Sequence, residues 1–172
     1  MFIGKQKFKK KIFKIFFKFL IKLALKNIKF EFIFQNKEDY QNYKSILNFN
    51  DTQANFINGS GVDTNKLKPS KKITKPKKIL LPARILYEKG IGDFVNASKI
   101  LKKQNCNIDF LLAGDTESLN PSSIDKKLIK YWDENNFITY LGYQQDTKKM
   151  YDGVSVVCLP SWREGFPKVL LE

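Results

Sequence analysis

The sequence predicts an α/β protein: a Rossmann-like parallel sheet with helices on both faces, preceded by an amphipathic helix. Three observations predict it. From residue 79 onward, short β-prone apolar runs alternate with stretches of helical period. Runs such as Val154 to Leu159 are apolar apart from one serine, as in strands covered on both faces. Connections long enough to hold a helix imply that the strands they join are parallel.

In chain order the alternation reads strand Ile79 to Ala83, helix from about Gly92 to Gln104, strand Ile108 to Ala113, and helix from about Ser122 to Asn135. It continues with strand Ile138 to Leu141, a short helix Asp146 to Tyr151 and strand Val154 to Leu159. In a sheet of this kind ligands sit beyond the carboxyl ends of the strands, so functional residues are expected after Ala83, Ala113, Leu141 and Leu159. Upstream, Phe30 to Phe34 has the alternating composition of a short strand, and Glu38 to about Leu47 reads as a charged helix. Phe56 and Ile57 precede a Gly59-Ser60-Gly61 turn. From Asp63 to Pro82 there are three prolines and seven lysines with no acid after Asp63, the composition of a solvated linker. The domain boundary is therefore expected near residue 70, dividing the chain into 1–70 and 71–172.

Residues 1–30 hold ten lysines and no acid, and no stretch approaches the ~20 apolar residues of a membrane span. At 100° per residue, Lys7, Lys11, Lys14, Lys18, Lys22, Lys26 and Lys29 share an arc of about 120°, leaving a wide Phe/Ile/Leu face opposite. Two compatible readings follow: that face packs on a domain partner, or residues 5–29 lie in the plane of an anionic membrane. The second would place the protein in the cytoplasm, peripheral at the inner face of the membrane. The charges also interrupt the apolar core that a secretory signal needs.

Thirty-one basic residues against seventeen acidic ones give a formal charge of +14. That balance favours phosphate-bearing ligands or an anionic surface, although a Lys-, Asn-, Ile- and Phe-rich composition also arises from AT-rich coding. The chain has no histidine. Ser-His-Asp and Cys-His nucleophile systems, His-ligated zinc and imidazole acid/base catalysis are thereby excluded. Cys106 and Cys158 have no partner at metal-ligand spacing and make no disulfide framework, which fits a reducing compartment. The run Val169 to Glu172 carries no helix-ending signal, so the sequence reads as a fragment.

The strand ends carry the chemistry. After the first strand come Arg84, one of two arginines in the chain, and Lys89-Gly90, placing a guanidinium and an ammonium where a parallel sheet binds phosphate. After the second, Ala113-Gly114-Asp115 is a turn whose glycine permits close backbone approach. After the last come Glu164, Gly165 and Phe166, then Pro167, which suits the first turn of a helix that would present its N–H groups to an anion and carry Glu172 a turn and a half inside.

These residues resemble a retaining glycosyltransferase of family four, with the GT-B fold. The resemblance rests on Ala83-Arg84 with Glu88-Lys89-Gly90, on Leu112-Ala113-Gly114-Asp115, on Tyr140-Leu141-Gly142-Tyr143, and on Pro160 to Pro167 closing with Glu172. Seven residues separate Glu164 from Glu172, as in that family's paired-glutamate motif. Ile33-Phe34-Gln35-Asn36 and Gly59-Ser60-Gly61-Val62-Asp63 resemble the end of an acceptor domain and the interdomain linker. The resemblance implies that Arg84 and Lys89 hold the donor diphosphate, Glu164 contacts the donor sugar, Glu172 binds the ribose, and Gly114, Gly165 and Phe166 line the donor site. The donor would be a nucleoside-diphosphate sugar, a UDP-sugar in the simplest case, passed with retention and without an obligatory metal or cofactor to a saccharide or lipid-linked acceptor in polysaccharide or glycan synthesis. The resemblance covers only part of such an enzyme, so the isolated chain is expected to be inactive. The nearest alternatives are a GT-B nucleotide-sugar epimerase and a non-catalytic basic module binding membrane or nucleic acid. The second leaves the Arg84, Glu164 and Glu172 spacing unexplained and lacks base-stacking aromatics on its basic linker, so nucleic acid is not expected as a partner.

Overall fold

The computed structural model describes residues 13, 15–59, 61–68, 77–117 and 119–172. They fall into two compact units, Met1–Ser60 and Gly61–Glu172, divided ten residues before the boundary expected at 70. Residues 5–12 and 14 of the amphipathic segment lie outside the described residues.

The smaller unit begins with helix α1 (15–24), which ends where Asn27 takes a left-handed conformation. Strand β1 (Phe32–Phe34), helix α2 (Lys37–Leu47) and strand β2 (Ala54–Phe56) follow, the two strands pairing in parallel. The ends of α2 are chemically marked. The Asn36 side chain accepts from the Asp39 N–H at 2.7 Å, and Asn48 closes the helix in the left-handed region, donating to Lys44 O at 2.9 Å. Phe34, Leu47 and Phe49 are buried, with the Phe32 and Phe49 rings 4.5 Å apart. The strand and helix around residues 30–47 are as predicted; β2 was not expected, because three residues of half-exposed pattern carry almost no period.

The larger unit runs β3 (Lys77–Pro82), α3 (Ile91–Lys103), β4 (Ile108–Ala113), α4 (Lys126–Glu134), β5 (Thr139–Gly142), α5 (Thr147–Tyr151) and β6 (Val156–Val157). Its sheet has the order β5-β4-β3-β6 with every pair parallel, the Rossmann-like arrangement expected. The chain steps outward from β3 to β5 through α3 and α4, then returns past β3 through α5. Right-handed crossovers in opposite directions place these helices on opposite faces. A switch point therefore lies at the carboxyl ends of β3 and β6, where α/β sheets open a crevice for ligands.

Packing explains why these segments hold. Leu81, Ile85, Ile91, Phe94, Phe110, Leu112 and Trp132 belong to one buried cluster joining the strands to α3 and α4. Each such side chain contributes about 1.5–3 kcal/mol on full burial. Ser98, fully buried on α3, donates its hydroxyl to Phe137 O ahead of β5. Asp125 caps α4 by accepting from Lys127 N–H at 2.8 Å, which starts that helix four residues later than predicted. The run Val154 to Leu159 is not covered on both faces: β6 has β3 as its single partner among the described residues and Val156 is exposed. Pairing nevertheless extends past its two ladder residues, with Ser155 and Cys158 N–H groups donating to Lys78 and Leu80 carbonyls at 2.8 Å.

Candidate functional site

Three loops meet at the carboxyl edge of β3, β4 and β6. Gly90, at φ +69°, lets the loop after β3 turn into α3 in direct backbone contact with the loop after β6; a Cβ there would lie 2.2 Å from Pro160 O. The contact continues as Trp162 N–H donates to Glu88 O at 2.9 Å. Gly114 makes the second junction, since its Cβ position is 1.9 Å from Ala83 O at φ +147°. Its N–H donates to Gly142 O at 2.8 Å, and Tyr140 OH donates to Gly114 O at 2.9 Å. The close approach predicted for this glycine is thus made to the neighbouring strand end.

On that frame Lys89 Nζ lies 2.7 Å from Glu164 Oε1. Burial works against the charge of Glu164, but the hydrogen bond from Lys89 and the charges of Lys89 and Arg84 prevail and hold the carboxyl below its usual range. Arg84 reaches into its own contact, Nη1 donating to Glu117 Oε1 at 3.0 Å. Asn120 donates to the second oxygen of Glu117 at 3.0 Å, and these two hydrogen bonds lower the Glu117 carboxyl. Sequence reasoning missed Glu117. It stands four residues beyond Ala113 in a loop without period, and only its position past a strand end could have marked it.

Glu172 is set apart from these groups. It pairs with Lys168 at 3.0 Å, with its side chain 10% exposed. Tyr151 OH, donating to Val169 O at 3.1 Å, also reaches Glu172 Oε2 at 3.4 Å. Burial first, then the charge and hydrogen bonding of Glu172, push that phenol above its ordinary value. A cleft of about 560 Å³ opens beside Glu172, with Val62, Asp63, Lys66, Lys148 and Lys168 on its walls and none of Arg84, Lys89 or Glu164.

The structure therefore brings Lys89 and Glu164 together, gives Arg84 an unforeseen partner, and keeps Glu172 with a separate lysine. Gly165, exposed, and Phe166, half-buried, form the bend between Glu164 and Pro167 as expected. The helix expected from Pro167 is instead a single 3₁₀ turn, Lys168–Leu170, with Pro167 just outside it at ψ 102°. Pro167 stays extended, and the turn closes from Leu170 and Leu171 back to Pro167 and Lys168. One such turn aligns too few peptides to act as a helix dipole on an anion. Among the described residues, no three His, Cys, Asp or Glu side chains are grouped as a metal site requires.

Residues 62–172 match the family described as glycosyl transferases group 1. A relative from Campylobacter jejuni, N,N'-diacetylbacillosaminyl-diphospho-undecaprenol alpha-1,3-N-acetylgalactosaminyltransferase, is 27% identical over 180 residues, covering 97% of this chain and 45% of its own length. The capsular polysaccharide biosynthesis glycosyltransferase CapM of Staphylococcus aureus is 27% identical over 134 residues, 77% of this chain and 35% of CapM. The chain thus spans less than half the length of either relative. Among solved structures, the pneumococcal O-GlcNAc transferase GtfA in complex with UDP and GlcNAc superposes with a TM-score of 0.61 at 19% identity, over 81% of this chain and 27% of that one.

Proposed function

The chain belongs to the glycosyl transferases group 1 family, and from that premise we propose that its larger unit is the donor half of a retaining transferase of family four that uses a nucleoside-diphosphate sugar. The observation that carries this reading is the Lys89–Glu164 contact of 2.7 Å at the switch point of the sheet. A cation and a carboxylate held there by backbone contacts suit the two ends of one ligand.

In the reaction, the bond between the sugar's anomeric carbon and the diphosphate breaks, the acceptor oxygen bonds to that carbon on the same face, and the acceptor's hydroxyl proton passes to an oxygen of the departing diphosphate. Negative charge grows on the departing diphosphate. Arg84 and Lys89 meet it, each having exchanged its carboxylate partner for phosphate oxygens when the donor bound; cations so placed stabilise the transition state without further reorganisation. Glu164, released from Lys89, accepts hydrogen bonds from sugar hydroxyls. Glu172, held in place by Lys168 and Tyr151, accepts from the ribose. Gly114, Gly165 and Phe166 allow the donor to lie close over the strand ends. No cofactor or obligatory metal enters this scheme, because Arg84 and Lys89 meet the charge that develops on the diphosphate.

UDP is the proposed nucleotide, supported by the likeness to a structure that binds it, and a saccharide or lipid-linked acceptor is supported by the C. jejuni relative, whose name specifies a diphospho-undecaprenol acceptor. The test is calorimetry of the chain with UDP, followed by labelled UDP-sugars scored for transferred sugar against epimer with this chain and with a chain extended to the relatives' length. Micromolar UDP binding that Lys89→Ala weakens supports the assignment. Binding indifferent to Lys89 and Arg84 sinks it, and epimer without transfer identifies an epimerase.

A further inference from the structure

We propose that one face of α1, carrying Phe16, Leu20 and Leu23, together with Phe13 just before it, is a docking surface for an anionic lipid bilayer, with the helix lying in the plane of the interface. This goes beyond the transfer reaction and does not depend on it.

At 100° per residue the four positions fall within about 80° of one another, and Lys18 and Lys22 stand on the opposite side. The side chains are solvent-facing, at 67%, 56%, 43% and 58% exposure respectively. Ile21, on the flank of the helix, packs instead against the cluster of Phe34, Leu47 and Phe49. Its own unit therefore takes up one edge of α1 and leaves the Phe/Leu stripe outward. Contiguous exposed apolar surface of this kind marks an interaction site.

Charge selects the occupant. Lys18, Lys22, Lys26 and Lys29 accompany the stripe, and no acidic residue occurs before Glu31. An apolar stripe with a wholly cationic surround matches acyl chains beneath anionic headgroups. A second copy of this lysine-rich, acid-free helix would bring like charge to like charge, which disfavours self-association. No described helix is long and apolar enough to cross a membrane.

The experiment is co-sedimentation of the whole chain with vesicles of phosphatidylcholine alone and of phosphatidylcholine with phosphatidylglycerol, at low and high salt. Binding should favour the anionic vesicles by at least about tenfold and fall with salt, because each lysine near such a surface is worth about fivefold. Lys18→Gln/Lys22→Gln/Lys26→Gln should lower binding by about a hundredfold on the same scale. Phe16→Ser/Leu20→Ser/Leu23→Ser should abolish it while leaving the circular dichroism of the larger unit unchanged. Equal affinity for neutral vesicles, or none for either, overturns the proposal. So does a dimer by light scattering that the serine variant converts to monomer. UDP affinity of the same variants, read by calorimetry, reports separately on the donor site, so either reading can fail alone.

Discussion

Lys89 Nζ and Glu164 Oε1, 2.7 Å apart, join the first and last strand-end loops of the larger unit across 75 positions of sequence. Their side chains are 16% and 26% exposed, so water screens the pair less than it screens an ordinary surface salt bridge. The donor-site proposal requires this contact to open. Lys89→Ala should therefore weaken UDP binding by about 1.5–3 kcal/mol, the range for a hydrogen bond to a charged group. Glu164→Gln should behave differently: UDP affinity holds or tightens, because Lys89 is released, while transfer slows for want of a carboxylate at the sugar. Calorimetry and turnover on the two variants decide it; parallel losses of UDP affinity in both would mean that the pair is only a structural clasp.

Glu117 competes for Arg84 in the same way but in a wetter setting, with the two side chains 40% and 62% exposed. An exposed pair contributes about 0–1 kcal/mol to stability. Glu117→Gln should leave the denaturation midpoint nearly unchanged and tighten UDP binding severalfold, most visibly at low salt. A loss of affinity would show instead that Glu117 orients the guanidinium.

The glycines at the strand ends give a stability test free of ligand. Gly90→Ala and Gly114→Ala each force a methyl group within van der Waals contact of a backbone carbonyl, at 2.2 Å from Pro160 O and 1.9 Å from Ala83 O, and both sites have positive φ. Each should cost more than the ~1–3 kcal/mol typical of backbone strain alone. Gly92→Ala is the control. It sits in the first turn of α3 with nothing within 4 Å of its Cβ, so helix propensity should stabilise it by up to about 1 kcal/mol. Urea titration of the three variants should give two large losses and one small gain.

Tyr140 supplies a smaller test of the same frame. Its hydroxyl donates to Gly114 O at 2.9 Å. Tyr140→Phe should cost about 0.5–1.5 kcal/mol by removing one hydrogen bond, measurable by urea titration, and should weaken UDP binding if the Gly114 turn helps shape the donor site.

The parallel order of the larger unit was legible because β-prone runs and helical stretches alternate with lengths that admit few topologies. The positions of Arg84, Lys89, Gly114 and Glu164 followed from that order alone, since a parallel sheet puts its carboxyl ends on one edge. Partners were not legible. The Lys89–Glu164 contact depends on the backbone junction at Gly90 and Pro160, and the Arg84–Glu117 contact on a loop held by Asn120; neither junction has a period or motif. The 3₁₀ turn after Pro167 was missed because a proline suits both the first helical position and the residue before it, and only ψ separates the two. In α1 the pattern gave the stripe, but which edge would be covered depended on Ile21 meeting a phenylalanine cluster built partly from β2, a strand with no recognisable pattern.

The charge of Glu164 also makes the fold's stability depend on pH in a stated direction. Its carboxyl lies below the ordinary range: burial opposes the charge, but the hydrogen bond from Lys89 and the nearby cations prevail. A group whose value is lower in the folded than in the unfolded chain contributes stability that is fully present above the unfolded value, about 4.3 for Glu, and is lost as pH falls through the folded value. Wild-type chain should therefore resist urea better than Glu164→Gln from neutral pH down to about 5, given that unfolded value, and the difference should shrink as the pH is lowered further. Glu117 titrates in both proteins, so its contribution cancels from the comparison. Lys89→Ala supplies the second leg, because without the ammonium the Glu164→Gln substitution should lose most of its pH-dependent effect. A difference between wild type and Glu164→Gln that stays constant from pH 7 into acid would mean that the carboxylate's charge contributes nothing, and that Lys89 gains only a neutral hydrogen bond at this edge of the sheet.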